Sequence, residues 1–395
     1  VKRVLTRLIA GHVCLHSCMA GTRLAAPLLA LHQGYSPLAV GVLLALFSLT
    51  QVFLALPAGR FADRHGLRRP VRLAVVAAVV GAALAVAFPV FPVLCFSALM
   101  TGGATGAASI SLQRHVGRAA GSSTELKRVF SWLAIGPAAS NFVGPFAAGL
   151  LIDHAGSVAG DATGYRAAFF LMAVLPLATW LLVRSVKELP PVAAPSGVGP
   201  TKAWHLLREP MMRRLMLVNW FLSSCWDVHS FVVPVLGHER GLGASVIGSI
   251  LGSFAIAAAV VRLLIPAFAS RLREHVVLSL AMVLTALVFA VYPFMHTPLT
   301  MGVCSVLLGI TLGSVQPMIM STLHQITPPE RHGEALGFRL MAINASSVVM
   351  PMLFGSVGTV VGVSALFWFV GVVVAAGARP AWLVRAPTTA RKTHG

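Results

Sequence analysis

Two groups of residues stand apart from an otherwise apolar sequence. The first is the run Gly59-Arg60-Phe61-Ala62-Asp63-Arg64-His65-Gly66-Leu67-Arg68-Arg69. Asp63 offers a carboxylate to nearby guanidiniums or to a helix N-terminus. Gly59 lets a helix end pack closely against a neighbour, and Gly66 permits a tight turn. A basic loop that merely sets topology does not account for so specific an order of residues. The second group is Asp227 with Arg23. Asp227 is the acidic residue that falls inside an apolar helix core; the others lie in loops or at helix ends. An ionisable group in a membrane is costly, and its default reading is functional.

An internal repeat with an offset of 207 puts Asp227 at the equivalent of position 20, three residues before Arg23. Positions three apart share a helix face. Arg23 and Asp227 are therefore expected to look into one cavity from equivalent helices. His16 lies seven residues before Arg23 on the same face, and Trp220, Ser223 and Ser230 lie near the face of Asp227. His229 falls on the far side. Two roles fit: Asp227 as a proton carrier, or Arg23–Asp227 as a permanent structural pair. The cost of the charge favours coupling or gating. Further polar candidates are Gln51, Arg262, Gln316 and His324. Pro317, next to Gln316, breaks a helical hydrogen bond and can form a hinge. Arg262 can instead snorkel to an interface.

The elements that position these residues follow from hydropathy. The chain is 57% hydrophobic and 10% charged, against roughly a quarter charged in a soluble domain. Long apolar blocks such as 71–89, 244–261 and 276–293 match the ~20 residues of a spanning helix. Unbroken apolar runs in lipid mean helices rather than barrel strands. Twelve helices are expected, over 8–31, 36–58, 70–88, 91–113, 129–152, 165–184, 213–237, 244–268, 275–295, 298–324, 334–357 and 362–384. The first follows Lys2-Arg3 and reads as an uncleaved helix rather than a signal peptide.

Two six-helix halves, 1–184 and 213–395, flank a linker, 185–212, that carries Pro190-Pro191. With both termini inside, Arg166 and Arg240 fall outside and Arg23 and Arg262 within helices; every other Lys and Arg falls inside. That placement explains the net charge of +19 without nucleic-acid binding. The halves repeat in parallel. Gly41, Phe47 and Gly106 recur as Gly248, Phe254 and Gly313, and Pro145-x-x-x-Gly149 recurs as Pro351-x-x-x-Gly355. Parallel repeats mark a known transporter architecture. Cys14, Cys18, Cys95, Cys225 and Cys304 read as packing residues. His12 and His16 share a face roughly opposite Cys14 and Cys18, so no metal site is expected.

The run from Gly59 to Arg69 resembles the signature of the major facilitator superfamily, with Phe61 where that family usually has Leu and Leu67 shifting the basic pair. Gly164-Tyr165-Arg166-Ala167-Ala168-Phe169 resembles its start of helix six, and Arg331-His332-Gly333-Glu334-Ala335-Leu336-Gly337 its loop before helix eleven. In the second half the signature has decayed to Pro266, Ser270 and Arg271. The resemblance implies an all-α integral membrane fold of two pseudo-symmetric six-helix bundles around a cavity that opens alternately to each side. It implies a gating role for Asp63 with Arg64 and with Arg114 or Arg118, alongside Gly59, Gly66, Arg68 and Arg69. Helix five, with Gly136, Ser140, Gly144, Pro145 and Gly149, resembles the antiporter signature, with Ser140 and Ala148 in place of two glycines. Ordinary close packing through small residues explains it as well. Met100 stands near the place where drug exporters of the family carry an Arg.

The expected function is secondary transport of a small organic solute by alternating access, coupled to protons, with export ahead of import. A receptor or scaffold on the same fold is the alternative from another class; the intact first signature argues against it. No Walker loop, H-E-x-x-H or G-x-S-x-G is present, so neither an enzyme nor an ATP-driven pump is expected. No cofactor is implied. The expected setting is a bacterial inner membrane, with the protein multi-pass, monomeric and cytoplasmic at both ends.

Overall fold

The computed structural model describes residues 2–35, 37–155, 162–189, 203–240, 242, 244–361 and 363–384. Every long element among them is helical: α1 (Lys2–His32), α2 (Pro37–His65), α3 (Arg68–Ala87), α4 (Phe91–Ala119), α5 (Ser123–His154), α6 (Thr163–Val183), α7 (Pro210–Glu239), α8 (Ala244–Phe268), α9 (Glu274–Val291), α10 (Pro298–Ile326), α11 (His332–Val361), α12 (Val363–Ala376) and the short α13 (Ala378–Trp382). Ten described helical stretches are long and apolar enough to cross a membrane. α7, which carries Asn219, Asp227 and His229 in its interior, is not among them.

The boundaries follow the hydropathy except where charged residues prolong a helix. α2 was expected to stop at 58, yet it continues through Asp63 to His65. Leaving the apolar layer does not break a backbone ladder. The helix ends where Gly66 takes φ +74, a conformation that glycine adopts without steric cost. α4 likewise runs on past Arg114, and α5 begins six residues before its expected start. The signature thus sits on the last two turns of a helix rather than on a loop. The twelfth expected helix is interrupted at Gly377, which separates α12 from α13.

Two compact units emerge. The first takes in Val1–Ala119, Trp132–Ser196 and Glu330–Val349. Within it α1 packs on α4 and α6, α2 on α4, and α3 on α4 and α6. The second takes in Ala120–Ser131, Gly197–Pro329 and Met350–Gly395. Within it α10 packs on α7, α8 and α9, and α12 on α7 and α9. The start of α5 therefore belongs to the second unit and the start of α11 to the first.

The repeat appears as one contact made twice. A Cβ on Gly102 of α4 would lie 2.3 Å from the Phe47 carbonyl of α2; a Cβ on Gly309 of α10 would lie 2.3 Å from the Phe254 carbonyl of α8. Both pairs sit 207 positions apart. The missing side chain is what lets each helix pair touch backbone to backbone. Gly102→Ala and Gly309→Ala are each expected to cost about 1–3 kcal/mol, since backbone cannot yield as a side chain does. Thermal unfolding of purified protein in detergent would read this; an unshifted midpoint in both variants would contradict the contact. Two hydroxyls of α4 inside the layer are satisfied locally: Thr101 donates to Ser97 O and Thr105 to Thr101 O, each at 2.8 Å. That is how a polar side chain is tolerated in an apolar helix.

Candidate functional site

The last turns of α2 meet the first turn of α11. A helix N-terminus leaves amide N–H groups without intrahelical partners and carries partial positive charge. Asp63 supplies both needs. Its Oδ1 accepts from the Gly333 N–H at 2.9 Å and its Oδ2 from the Glu334 N–H at 3.0 Å. Arg114, from α4, donates Nε to Asp63 Oδ1 at 2.5 Å and Nη2 to the Asp63 carbonyl at 3.2 Å. The Arg114 side chain is 4% exposed and that of Asp63 10%. A guanidinium so buried requires a paired anion.

Arg60, one turn before Asp63, closes the other side of the cluster. Its Nε and Nη2 donate to Glu334 Oε1 at 3.0 and 2.9 Å. Arg331 donates to Glu334 Oε2 at 2.7 Å. Each acid thus has cationic partners on one side and backbone or a second cation on the other. The approach itself depends on glycine. A Cβ on Gly59 would lie 2.1 Å from the Gly333 carbonyl oxygen; one on Gly333 would lie 2.3 Å from that of Gly59; one on Gly337 would lie 2.3 Å from that of Ala55. All of these residues belong to the first unit.

The signature's remaining residues do different work. Glu188, beyond α6, accepts from the Leu67 N–H at 3.0 Å and the Arg68 N–H at 2.6 Å, capping the start of α3. Arg68 donates to the Val186 carbonyl at 2.9 and 2.7 Å. Gly66 lies against Glu188, where a Cβ would meet the carboxylate at 2.5 Å. Arg64 and Arg69 are exposed. The structure therefore brings together Gly59, Asp63 and Arg114, and assigns Gly66 and Arg68 to the α3–α6 corner. Arg60, Arg331, Gly333 and Glu334 join the cluster beyond the expected partners of Asp63. Their signal was present in the segment before helix eleven, but nothing in it said which acid faced which base.

The residues expected to handle protons or substrate divide between the units. On α7, Trp220 is exposed and Ser223 and Asp227 half-buried along one face; Cys225, Val228 and His229 are buried on the other. Arg262 is buried on α8, with its guanidinium 5.7 Å from the centre of the Trp226 ring and its Nε 3.4 Å from the Gly313 carbonyl. Gln316 is half-buried on α10. In the first unit Arg23 is exposed on α1, within electrostatic reach of His16. The His16 and His12 rings meet edge to face at 5.9 Å, and His12 Nε2 lies 3.0 Å from Ser109 Oγ on α4. In α5, Gly144 abuts α1: a Cβ there would lie 2.5 Å from the Ser17 carbonyl. The neighbouring Pro145 is half-buried, and Gly149 is open, with Leu24 at 4.0 Å. The side chains of α11 at Pro351 and Gly355 lie outside the described residues.

Compared with known proteins, the chain matches the sequence profile of the Major Facilitator Superfamily over residues 8–243 and 215–395. The chain belongs to this superfamily. It is a multi-pass membrane transporter, whose relatives move small molecules across a lipid bilayer and are in general not enzymes. The multidrug resistance protein MdtG of Yersinia enterocolitica is 24% identical over 347 residues, covering 83% of this chain and 79% of that one. The multi-drug resistance efflux pump PmrA of Streptococcus pneumoniae is 24% identical over 253 residues, 62% of this chain and 60% of that one. Among solved structures, an outward-facing bacterial homologue of the iron transporter ferroportin superposes with a TM-score of 0.77 at 15% identity, over 96% of this chain and 98% of the other. The human organic anion transporter MFSD10 (TETRAN) does so with a TM-score of 0.78 at 19% identity, over 96% and 99%. At those identities the likeness concerns the fold, two pseudo-symmetric six-helix bundles.

Proposed function

We propose that this transporter exports a small organic solute in exchange for protons by alternating access. The observation that carries this reading is the latch on Asp63. It consists of a few directional bonds and a glycine fit between α2, α4 and α11. Such a set forms and breaks as a unit, which is what a gate requires and a permanent interface does not. In this reading the latch gates the cytoplasmic side. Both termini are cytoplasmic, the membrane is a bacterial inner membrane, and the halves 1–184 and 213–395, joined by 185–212, work as a monomer. Export draws support from MdtG and PmrA, which are named for drug resistance and efflux.

Asp227 serves as the coupling carboxylate. It sits on the more exposed face of α7 with Trp220 and Ser223, a polar and aromatic strip along that face. Arg23, His16, Gln316 and Arg262 contribute to handling the solute. The test measures proton release or uptake by purified protein challenged with a panel of organic solutes, in wild type and Asp227→Asn. A solute-dependent signal in wild type that falls at least tenfold in the variant is expected. A signal of full size in the variant would move coupling away from Asp227. Solute flux in oriented vesicles reads direction, and accumulation against a gradient on the cytoplasmic side would replace export by import.

A further inference from the structure

In the second half the signature is absent, since Pro266, Ser270 and Arg271 stand where Gly59, Asp63 and Arg64 would recur. The structure nonetheless holds a charged cluster at the matching place in the second unit. Lys127, in the second turn of α5, donates Nζ to the Leu272 carbonyl at 2.5 Å and lies 3.6 Å from Glu274 Oε1. Glu274 opens α9. The same Oε1 accepts from Ser321 Oγ and Gln325 Nε2 of α10, both at 3.0 Å. The Lys127 side chain is 5% exposed and that of Glu274 16%. One turn further along α5, Ser131 donates to the Arg262 carbonyl of α8, and the Phe130 ring lies 4.8 Å from that of His324.

The repeat gives this cluster its meaning. On these two helices Pro145 and Gly149 recur as Pro351 and Gly355, an offset of 206; Lys127 therefore maps onto Gly333, next to Glu334, the acid that Arg60 and Arg331 hold in the first unit. In one half an acid on the crossing helix meets bases; in the other a base on the crossing helix meets an acid and a carbonyl. We propose that Lys127 and Glu274 form a second latch, which anchors the start of α5 in the second unit as Asp63 and Glu334 anchor the start of α11 in the first, and that transport requires both. Both groups are positioning residues; neither needs to touch the solute. A buried ammonium costs free energy unless its partners are in place. The anchor is therefore either fully made or released, which suits a gate.

The transport role rests on the alternating-access reading above; the anchoring itself does not. The experiment separates the two by measuring amide hydrogen exchange over residues 123–131 beside transport turnover, in wild type, Lys127→Met, Lys127→Arg and Glu274→Gln. Lys127→Met is expected to speed exchange over 123–131 by about tenfold, by opening the anchor locally, and to lower turnover by a similar factor. Lys127→Arg, which keeps the charge and donors, is expected to retain wild-type behaviour within about twofold. Glu274→Gln keeps an oxygen for Ser321 and Gln325 and serves if Lys127→Met fails to fold; the same direction is expected. Unchanged exchange over 123–131 in the variants would overturn the anchor whatever transport does. Faster exchange with unchanged turnover would overturn its part in transport, and a loss in Lys127→Arg as large as in Lys127→Met would overturn the role of charge.

Discussion

Asp63→Asn is expected to leave the protein folded and inserted in the membrane while lowering solute transport by about 100-fold, because a buried ion pair loses one member. Asparagine keeps the shape of the side chain and removes its charge. An amide NH2 then faces either Arg114 or an N–H at the start of α11, donor against donor. Arg114 stays buried with no carboxylate. Such a loss costs about 3–5 kcal/mol, and each 1.4 kcal/mol is roughly tenfold in an equilibrium constant. The Arg60–Glu334 bonds remain, which keeps the expected effect at the lower end. Transport by monodisperse protein reconstituted in vesicles checks it; undiminished transport would remove the gating role. A second comparison isolates the pair. Asp63→Asn with Arg114→Met is expected to unfold at a higher temperature than Asp63→Asn alone, since removing both partners costs less than stranding one. A lower midpoint in the double variant would mean that Arg114 is held by something other than Asp63.

Gly59→Val is expected to abolish the latch by shape rather than by charge. The new Cβ would lie 2.1 Å from the Gly333 oxygen and 2.6 Å from its carbonyl carbon, both backbone atoms that cannot rotate away. The α2 and α11 ends must then part. The two N–H bonds to Asp63 depend on the same approach and break with it. A transport loss of at least about tenfold is expected, with insertion retained, because overpacking of one helix contact costs only about 1–3 kcal/mol of stability. Gly302→Val is the control. A Cβ at Gly302 meets nothing within 4 Å, so full transport is expected there. Equal loss in both variants would show that valine disturbs helices generally and would leave the Gly59 contact without special standing.

The number and order of the helices were legible because each is announced by its own stretch of apolar residues. Their ends were not. α2 continues to His65 and α4 to Ala119 because a helix stops where its backbone is interrupted, and hydropathy reports only where the lipid stops. At the site, Asp63 and Gly59 were legible from the order of residues around them, and Arg114 was among the bases considered for Asp63. Arg60 looks in the sequence like one of a basic run, yet it holds Glu334 across 274 positions. Lys127 and Glu274 carried no signal, since neither falls on a charged residue of the first cluster when the halves are aligned.

The sequence by itself determined the spanning helices, the twofold repeat of six helices and the distinctive order of residues around Asp63 on α2. These are local properties: hydropathy over one turn after another, and residue order within one segment. The tertiary structure decided which charges meet. Asp63 faces the start of α11 and Arg114, Glu334 lies between Arg60 and Arg331, and Lys127 caps the α8–α9 connection beside Glu274. Each pairing depends on how closely two helix ends approach. Between α2 and α11 that distance is set by glycines on both helices at once, and no spacing along the chain records it.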